Sequence, residues 1–321
     1  MLTPTNSRQT GPETINSVNL HKNELPTPIN TKIFFDHLQD NLRSKFQFLK
    51  NWFTNGFHLQ FEGPQTFRTC NNLRSALENI DVLKNKISKE LDSGRCMGPF
   101  SYPPFPDLQV SPLGLVPKKE PNEFRVIHHL SFPAGTSIND GISHENSTVT
   151  YQSIDDAIKL IKKYGKGALL AKTDIESAFR LIPIHPNDYE LLGFKIEDKY
   201  FYDRVLPMGC SISSRLFETF STAIHWILEH KLQVAGVVHV LDDFLFVGPP
   251  NTEQCLKDLT EFLGFCSETA IPIKDSKTEY PTTCLTFLGI ELDSVAMVAR
   301  LPQDKVLKCG TTLTLYPSDV K

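Results

Sequence analysis

VVHVLDDFLFV, residues 237–247, is the stretch on which the fold turns. Two β-rich runs, Val237–Leu241 and Phe244–Val247, are separated only by Asp242 and Asp243. That spacing predicts two strands joined by a tight hairpin with both carboxylates at its tip. Adjacent carboxylates between apolar strands repel each other, and burial disfavours their ionised forms unless a cation compensates. Hairpin turns accept Asp, although Asn-Gly and Asp-Gly are commoner, so the pair by itself fits a solvated turn as well as a metal site. Asp174 changes the balance. It ends another apolar run, Ala168–Thr173, which reads as a buried strand. A lone Asp after a strand is an ordinary cap. Beside the pair it makes three oxygen ligands from two strand ends, a set suited to Mg²⁺, with Mn²⁺ as an alternative. Nucleotidyl transfer with two metal ions is the chemistry that uses such a set.

Working outward, Ser213–His230 carries Leu216, Phe217, Phe220, Ile224 and Ile227 at helical spacing, and a second helix is expected over Thr252–Cys266. Two further strands are expected at Thr286–Leu292 and Met297–Leu301. Strand, helix, hairpin, helix, strand is the ferredoxin-like split βαβ order. The class is α+β, an antiparallel sheet with helices on one face. Upstream, Ser153 with Asp156 forms a capping box, and Gly165 stops the helix it begins. Val126-Ile127 suggests a strand, and Pro99–Pro112 is too rich in proline to be helical. Leu73, Ala76, Leu77, Ile80, Leu83, Ile87 and Leu91 predict one amphipathic helix ending at Gly94. Aromatic residues crowd Ile33–Phe61, whereas residues 1–30 are polar and read as a disordered leader.

Composition narrows the classes. The chain has 321 residues, 40% hydrophobic and 22% charged, enough for a sizeable core. Its formal net charge of −4 excludes a global basic field, so a polyanion must be held by local patches. Candidates are Lys118, Lys119 and Arg125, and the run Lys159, Lys162, Lys163, Lys166, which also reads as the wet face of a helix. Seven scattered cysteines without a CxxC pair argue against a disulfide framework and fit a reducing compartment. With no apolar run of membrane-spanning length, the expectation is an intracellular protein, cytoplasmic or nuclear, with no membrane partner.

The motifs together resemble the fingers and palm of reverse transcriptases, the right-hand polymerase fold. KTDIESAFRLIPIHP (172–186) is similar to the first catalytic motif, LPMGCSISS (206–214) to the motif that contacts nucleotide and template, VLDDF (240–244) to the aspartate-pair motif, and FLGIEL (287–292) to the primer-grip hairpin. SPLGLVPKKEPNEFRVIHHLS (111–131) resembles the fingers strands that hold the incoming triphosphate. GPFSYPPFPDLQVSPLG, RVIHHLSFPAGTSINDG and LPMGCSIS look most like tyrosine-recombinase (DIRS-type) retrotransposons of animals.

The resemblance implies roles. Asp174 and Asp242 would be the main metal ligands, Asp243 auxiliary, with the Ile175 carbonyl completing a site. Phe179 would exclude a ribose 2′-hydroxyl, against the alternative of an ordinary core ring. Lys118 and Arg125 would converge on the triphosphate across the turn Glu120–Glu123, which also reads as merely solvated. Gly209 would let backbone approach the nucleotide. Lys277 would protonate pyrophosphate as a general acid, against the alternative of a plain surface lysine. Phe287, Leu288 and Gly289 would form the primer grip. The implied partners are an RNA or DNA template with its primer and deoxynucleoside triphosphates; the oligomeric state is not legible.

The implied layout is a leader at 1–30, a helical extension at 31–98, fingers at 99–167, palm at 168–284 with room for a fingers insertion, and the primer-grip hairpin at 285–305. The segment 306–321 lacks amphipathic spacing and reads as a truncated or frameshifted tail without a complete thumb. Two departures stand out. Val240 occupies a place where the family usually has Tyr, and His128-His129-Leu130 replaces an Asp-Leu-Arg-like triplet. The histidines lack further ligands at zinc spacing. Two other readings are a non-catalytic retroelement remnant that binds nucleic acid, and ribonuclease H, an activity of the parent polyprotein for which no carboxylate cluster is present here. A nucleotide cyclase shares the palm but not the fingers motif.

Overall fold

The computed structural model describes residues 25–38, 43–118 and 122–307. Most of the expected leader, three residues of the fingers turn and most of the 306–321 tail lie outside them. In chain order the elements are α1 (Thr31–His37), α2 (Arg43–Asn55), α3 (Arg74–Leu77), α4 (Ile80–Asp92), β1 (Cys96–Phe100), β2 (Leu113–Pro117), β3 (Phe124–His128), α5 (His144–Ser147), α6 (Ile154–Tyr164), β4 (Leu169–Asp174), β5 (Gly193–Ile196), β6 (Lys199–Asp203), α7 (Ser213–His230), β7 (Val237–Val240), β8 (Asp243–Gly248), α8 (Gln254–Glu268), β9 (Glu279–Thr282), β10 (Cys284–Phe287), β11 (Ile290–Asp293) and β12 (Val298–Arg300).

The central sheet has the order β7-β8-β4-β9, antiparallel throughout. With α7 between β4 and β7 and α8 between β8 and β9, this is the split βαβ arrangement. Alternation along β8 sorts its two faces. Phe244 and Phe246 join Ala171, Ile224, Leu259 and Phe262 under α7 and α8, while Leu245 and Val247 join Leu170 and Val238 on the opposite face. That opposite face is covered by Ala157 and Ile161 of α6 and by Leu285, Phe287 and Leu292 of the β10–β11 hairpin. Helix α6, expected with the fingers, therefore packs on the central sheet, because its apolar stripe finds its cover there. Helices α1 and α2 lay Phe34 and Phe53 against Phe220 on α7, with ring centroids 5.2 and 5.3 Å apart.

Several local expectations are corrected. The helix expected across 73–91 is two, α3 and α4, broken at Glu78-Asn79, and Leu77 is exposed. The strand expected at Thr286–Leu292 is two antiparallel strands around Leu288-Gly289, both at positive φ (47° and 80°), the geometry of a tight primed turn. Order begins before residue 31: Ile29 is buried, and Asn30 caps α1 while its amide donates to the Thr269 carbonyl at 2.8 Å. Among the described residues the cysteines are free thiols. No described helix is long and apolar enough to cross a membrane.

Candidate active site

The hairpin lies one residue away from the expected register. Val240 pairs with Asp243, so the two-residue loop is Leu241-Asp242 and Asp243 opens β8. Leu241 stands at φ 55°, where a side chain is strained by roughly 1–3 kcal/mol, a cost that clusters at functional sites. The shift has a consequence for Asp243. It pairs directly with Asp174 on β4, and Ile175 donates its amide to the Asp242 carbonyl at 3.0 Å in the same register. Asp174 and Asp243 are thus a non-hydrogen-bonded pair, side chains on one face and Cα atoms about 4.5 Å apart. Asp174 is 4% exposed.

The electrostatics follow from crowding. Burial, then the charges of Asp242 and Asp174, push Asp243 up to about 6. Burial and then Asp174 also raise Asp242, with Lys277 and Arg125 pulling the other way. The Lys277 ammonium is bonded to Asp174, and this contact, with the three carboxylates, holds its pKa up against burial. Among the described residues no three His, Cys, Asp or Glu side chains converge on one metal-sized point. The donor chemistry nevertheless fits a hard divalent cation: one buried and two half-buried carboxylates, the latter two with raised pKa, answered by one lysine ammonium. Asp174, Asp242 and Asp243 are the residues that would hold it.

Protons and cations should therefore compete. A raised carboxylate pKa means the folded chain binds its proton more tightly than the unfolded chain between the ordinary 3.8 and about 6, so metal-free stability should fall as pH rises through that window. Mg²⁺ should raise the melting temperature at about pH 7.5 and hardly at all at about pH 4.5. Thermal melts with and without Mg²⁺ read this; an equal rise at both would remove Asp243 from the ligand set.

The surrounding residues fall as follows. On the β2–β3 hairpin, Arg125 pairs with Val116 and its charge reaches Asp242, whereas Lys118 bonds Glu123 at 2.8 Å. The charges of Lys86 and Lys274 also act on Glu123, and the Lys274 amide donates to the Asp174 carbonyl at 2.9 Å. Phe179 is half-buried, its ring edge-on to Phe217 of α7 at 5.8 Å. Gly209 has φ 121°, and a Cβ there would run into the His128 carbonyl, so the close approach seen is to the fingers strand. The Lys305 ammonium donates to the Gly289 carbonyl at 2.8 Å, bracing the β10–β11 turn.

Some residues that organise the site escaped sequence reasoning. His128 is 3% exposed; its Nδ1 meets Asp203 at 3.1 Å and its Nε2 meets the Gly193 carbonyl at 3.1 Å. Its amide donates to the Met208 carbonyl at 2.9 Å, tying the fingers to the turn that carries Gly209. Asp203 also receives Arg180 at 2.7 Å, and Arg180 reaches Glu90 on α4 at 2.8 Å. His128 had one available signal, its departure from the motif. Glu90 and Asp203 had none.

A model of the family described as reverse transcriptase (RNA-dependent DNA polymerase) matches residues 116–292, more than half of the chain. The chain belongs to the reverse transcriptase family. Similar curated proteins include the genome polyprotein of Petunia vein clearing virus (isolate Shepherd), 25% identical over 138 residues, or 43% of this chain and 6% of that protein. Protein P of Duck hepatitis B virus (strain China) is 29% identical over 141 residues, 44% of this chain and 17% of that protein. The Gag-Pro-Pol polyprotein of Mason-Pfizer monkey virus is 28% identical over 138 residues, 40% and 8%. This reverse transcriptase chain thus spans under a fifth of the length of those relatives. Its fold is shared with the foamy viral protease-reverse transcriptase in complex with dsDNA, at a TM-score of 0.60 and 16% identity over 90% of this chain and 58% of that one. The same viral protein with an RNA/DNA hybrid gives 0.59 and 15%, over 87% and 37%.

Proposed function

We propose that this chain carries out RNA-directed DNA synthesis, adding deoxynucleoside triphosphates to a primer 3′-hydroxyl on an RNA or DNA template. One observation carries the reading: Asp174 and Asp243 are cross-strand partners beside Asp242, in a crowded cluster where burial and like charge raise the pKa values of Asp242 and Asp243. Divalent metal, Mg²⁺ or Mn²⁺, would supply activation of the 3′-hydroxyl and neutralisation of the leaving pyrophosphate. Asp174 and Asp242 would hold it, with Asp243 auxiliary and the Ile175 carbonyl completing the set. Arg125 and Lys118 would bind the triphosphate, Lys118 exchanging Glu123 for phosphate. The Lys277 ammonium, already among the aspartates, would serve as general acid. Gly209 would shape the nucleotide floor, and Phe287, Leu288 and Gly289 the primer grip. The duplexes named with the foamy viral neighbours support nucleic acid as the partner. The Pro-rich 98–114 phrase and the His128-containing phrase support a DIRS-type retrotransposon as the source. The test is primer extension on a primed RNA template with Mg²⁺. Extension that requires the three aspartates supports the reading; binding of the duplex without any extension favours the non-catalytic alternative.

Phe179→Ala should raise ribonucleotide incorporation relative to deoxynucleotide, because a half-buried ring facing the sugar would no longer collide with a 2′-hydroxyl. Competition between the two sugars at one template position reads the ratio. An unchanged preference in a variant that still polymerises returns Phe179 to its packing role against Phe217.

A further inference from the structure

Behind the aspartate turn runs a line of buried polar side chains that packing alone does not call for. Glu218 of α7, 6% exposed, accepts a hydrogen bond from the Leu241 amide at 2.9 Å, so it grips the strained residue next to Asp242. Its other oxygen lies 3.2 Å from Nε2 of His239 on β7, an ion-pair distance off the ideal hydrogen-bond line. His239, 4% exposed, sets its Nδ1 2.8 Å from the Nδ1 of His225, and Nε2 of His225 lies 3.3 Å from Glu229 on the outer flank of α7. Gln152 accepts from the His239 amide at 2.9 Å. A polar line thus joins Glu229, His225, His239, Glu218 and Leu241.

The contact between the two Nδ1 atoms restricts the protons. One nitrogen must donate and the other accept. If His239 donated from Nδ1, its bare Nε2 lone pair would face the Glu218 carboxylate. Either choice leaves one bare Nε2 facing a carboxylate, that of His239 toward buried Glu218 or that of His225 toward exposed Glu229, where water weakens the repulsion. The favourable arrangement therefore puts the His239 proton on Nε2, toward Glu218, and leaves His239 Nδ1 to accept from His225. Glu218 then accepts a hydrogen bond from the Leu241 amide and faces the His239 Nε2–H at ion-pair distance, in a dry setting where an unmatched lone pair is costly.

We propose that Glu218 is a positioning residue for the aspartate turn, oriented through the His239–His225 relay so that Leu241 keeps its left-handed backbone and Asp242 its place beside Asp174. The proposal rests on the polymerase reading for its effect on rate, but its structural half does not. A turn displaced by about 1 Å can cost about 10²-fold in the chemical step. Glu218→Ala should therefore lower kcat for single-nucleotide addition by about 10²-fold while the KM for nucleotide moves little. Glu218→Gln should keep most of the rate. Its amide oxygen takes the Leu241 amide, its NH₂ faces His239 Nε2, and the relay inverts so that His239 carries its proton on Nδ1.

The experiment pairs these kinetics with ¹⁵N imidazole spectra of the full chain, wild type and Glu218→Gln. Support is a His239 proton on Nε2 in the wild type that moves to Nδ1 in the Gln variant, together with a kcat loss in the Ala variant that Gln restores. A wild-type His239 protonated on Nδ1, or an Ala variant that folds and keeps wild-type kcat, overturns it. If Glu218→Ala does not fold, the tautomer in Glu218→Gln decides, and an unmoved proton sinks the relay. Should the wild type extend no primer, the polymerase reading fails, and the spectra still judge the relay.

Discussion

Asp242→Asn should abolish primer extension, lowering the single-turnover rate by about 10³-fold or more, since a metal ligand contributes several kcal/mol of transition-state charge stabilisation. The fold should survive. In the metal-free protein Asp242 sits with a raised pKa, disfavoured first by burial and then by the charge of Asp174. Replacing that carboxylate with a neutral amide removes a like-charge repulsion, so the melting temperature without metal should hold or rise. Duplex binding should stay near wild type, because the turn contributes no positive charge. Single-turnover extension, melts without Mg²⁺ and duplex titration separate these effects. Equal loss of binding, fold and rate would mark Asp242 as structural, and the metal assignment would go with it.

Arg180→Leu should be the most damaging change to stability, at about 3–5 kcal/mol, the range for breaking a buried ion pair on one side. Arg180 is 19% exposed and bonds Glu90 Oε2 at 2.8 Å and Asp203 Oδ1 at 2.7 Å. Without it, Glu90 keeps Arg95, at 3.0 Å, but among the described residues Asp203 keeps as its side-chain partner His128 alone. Burial alone would raise the Asp203 pKa; the charges of Arg180 and His128 and their hydrogen bonds hold it below the ordinary 3.8. The sign follows from that depression. Its contribution is present above the unfolded value and lost as pH falls through the folded one, so the gap between wild type and variant should narrow below about pH 4. Urea unfolding at neutral and acid pH measures it. A variant within about 1 kcal/mol of wild type at neutral pH would show that the cluster is replaceable.

These two sites differ in how far they could be read from the chain alone. Asp174, Asp242 and Asp243 were legible because each stands at the end of a run whose periodicity is local, and carboxylates in such places need a reason. Part of the order was legible for the same cause: β4, α7 and the β7–β8 hairpin stand where expected. The strand that completes the central sheet is β9, Glu279–Thr282, which no apolar run announced, while the strands expected at 286–292 and 297–301 form a separate sheet, β10-β11-β12. The helix boundaries at Gly165 and His230 needed only near neighbours. Apolar spacing missed the break between α3 and α4 and the turn at Leu288-Gly289, because it runs through both without marking a reversal; only the resemblance of FLGIEL to a hairpin motif pointed to the second.

The tertiary structure alone decided the register of the aspartate hairpin. A one-residue difference in the loop sets which side chains share a face, and nothing in VLDDF distinguishes Asp242-Asp243 from Leu241-Asp242 as the turn. Pairing with β4 settles it, since only that register puts Asp243 opposite Asp174 while Phe244 and Phe246 go under α7 and α8. The same holds for Glu218 and His239, 21 residues apart, and for Arg180 with Glu90, 90 apart. Polar groups joined across such separations leave no period in the sequence. The sequence by itself determined the class, the succession from β4 through α7 to the β7–β8 hairpin, and the strand-end placing of three carboxylates; which charges face which was left to packing, because a buried ionic contact depends on neighbours that only the folded chain supplies.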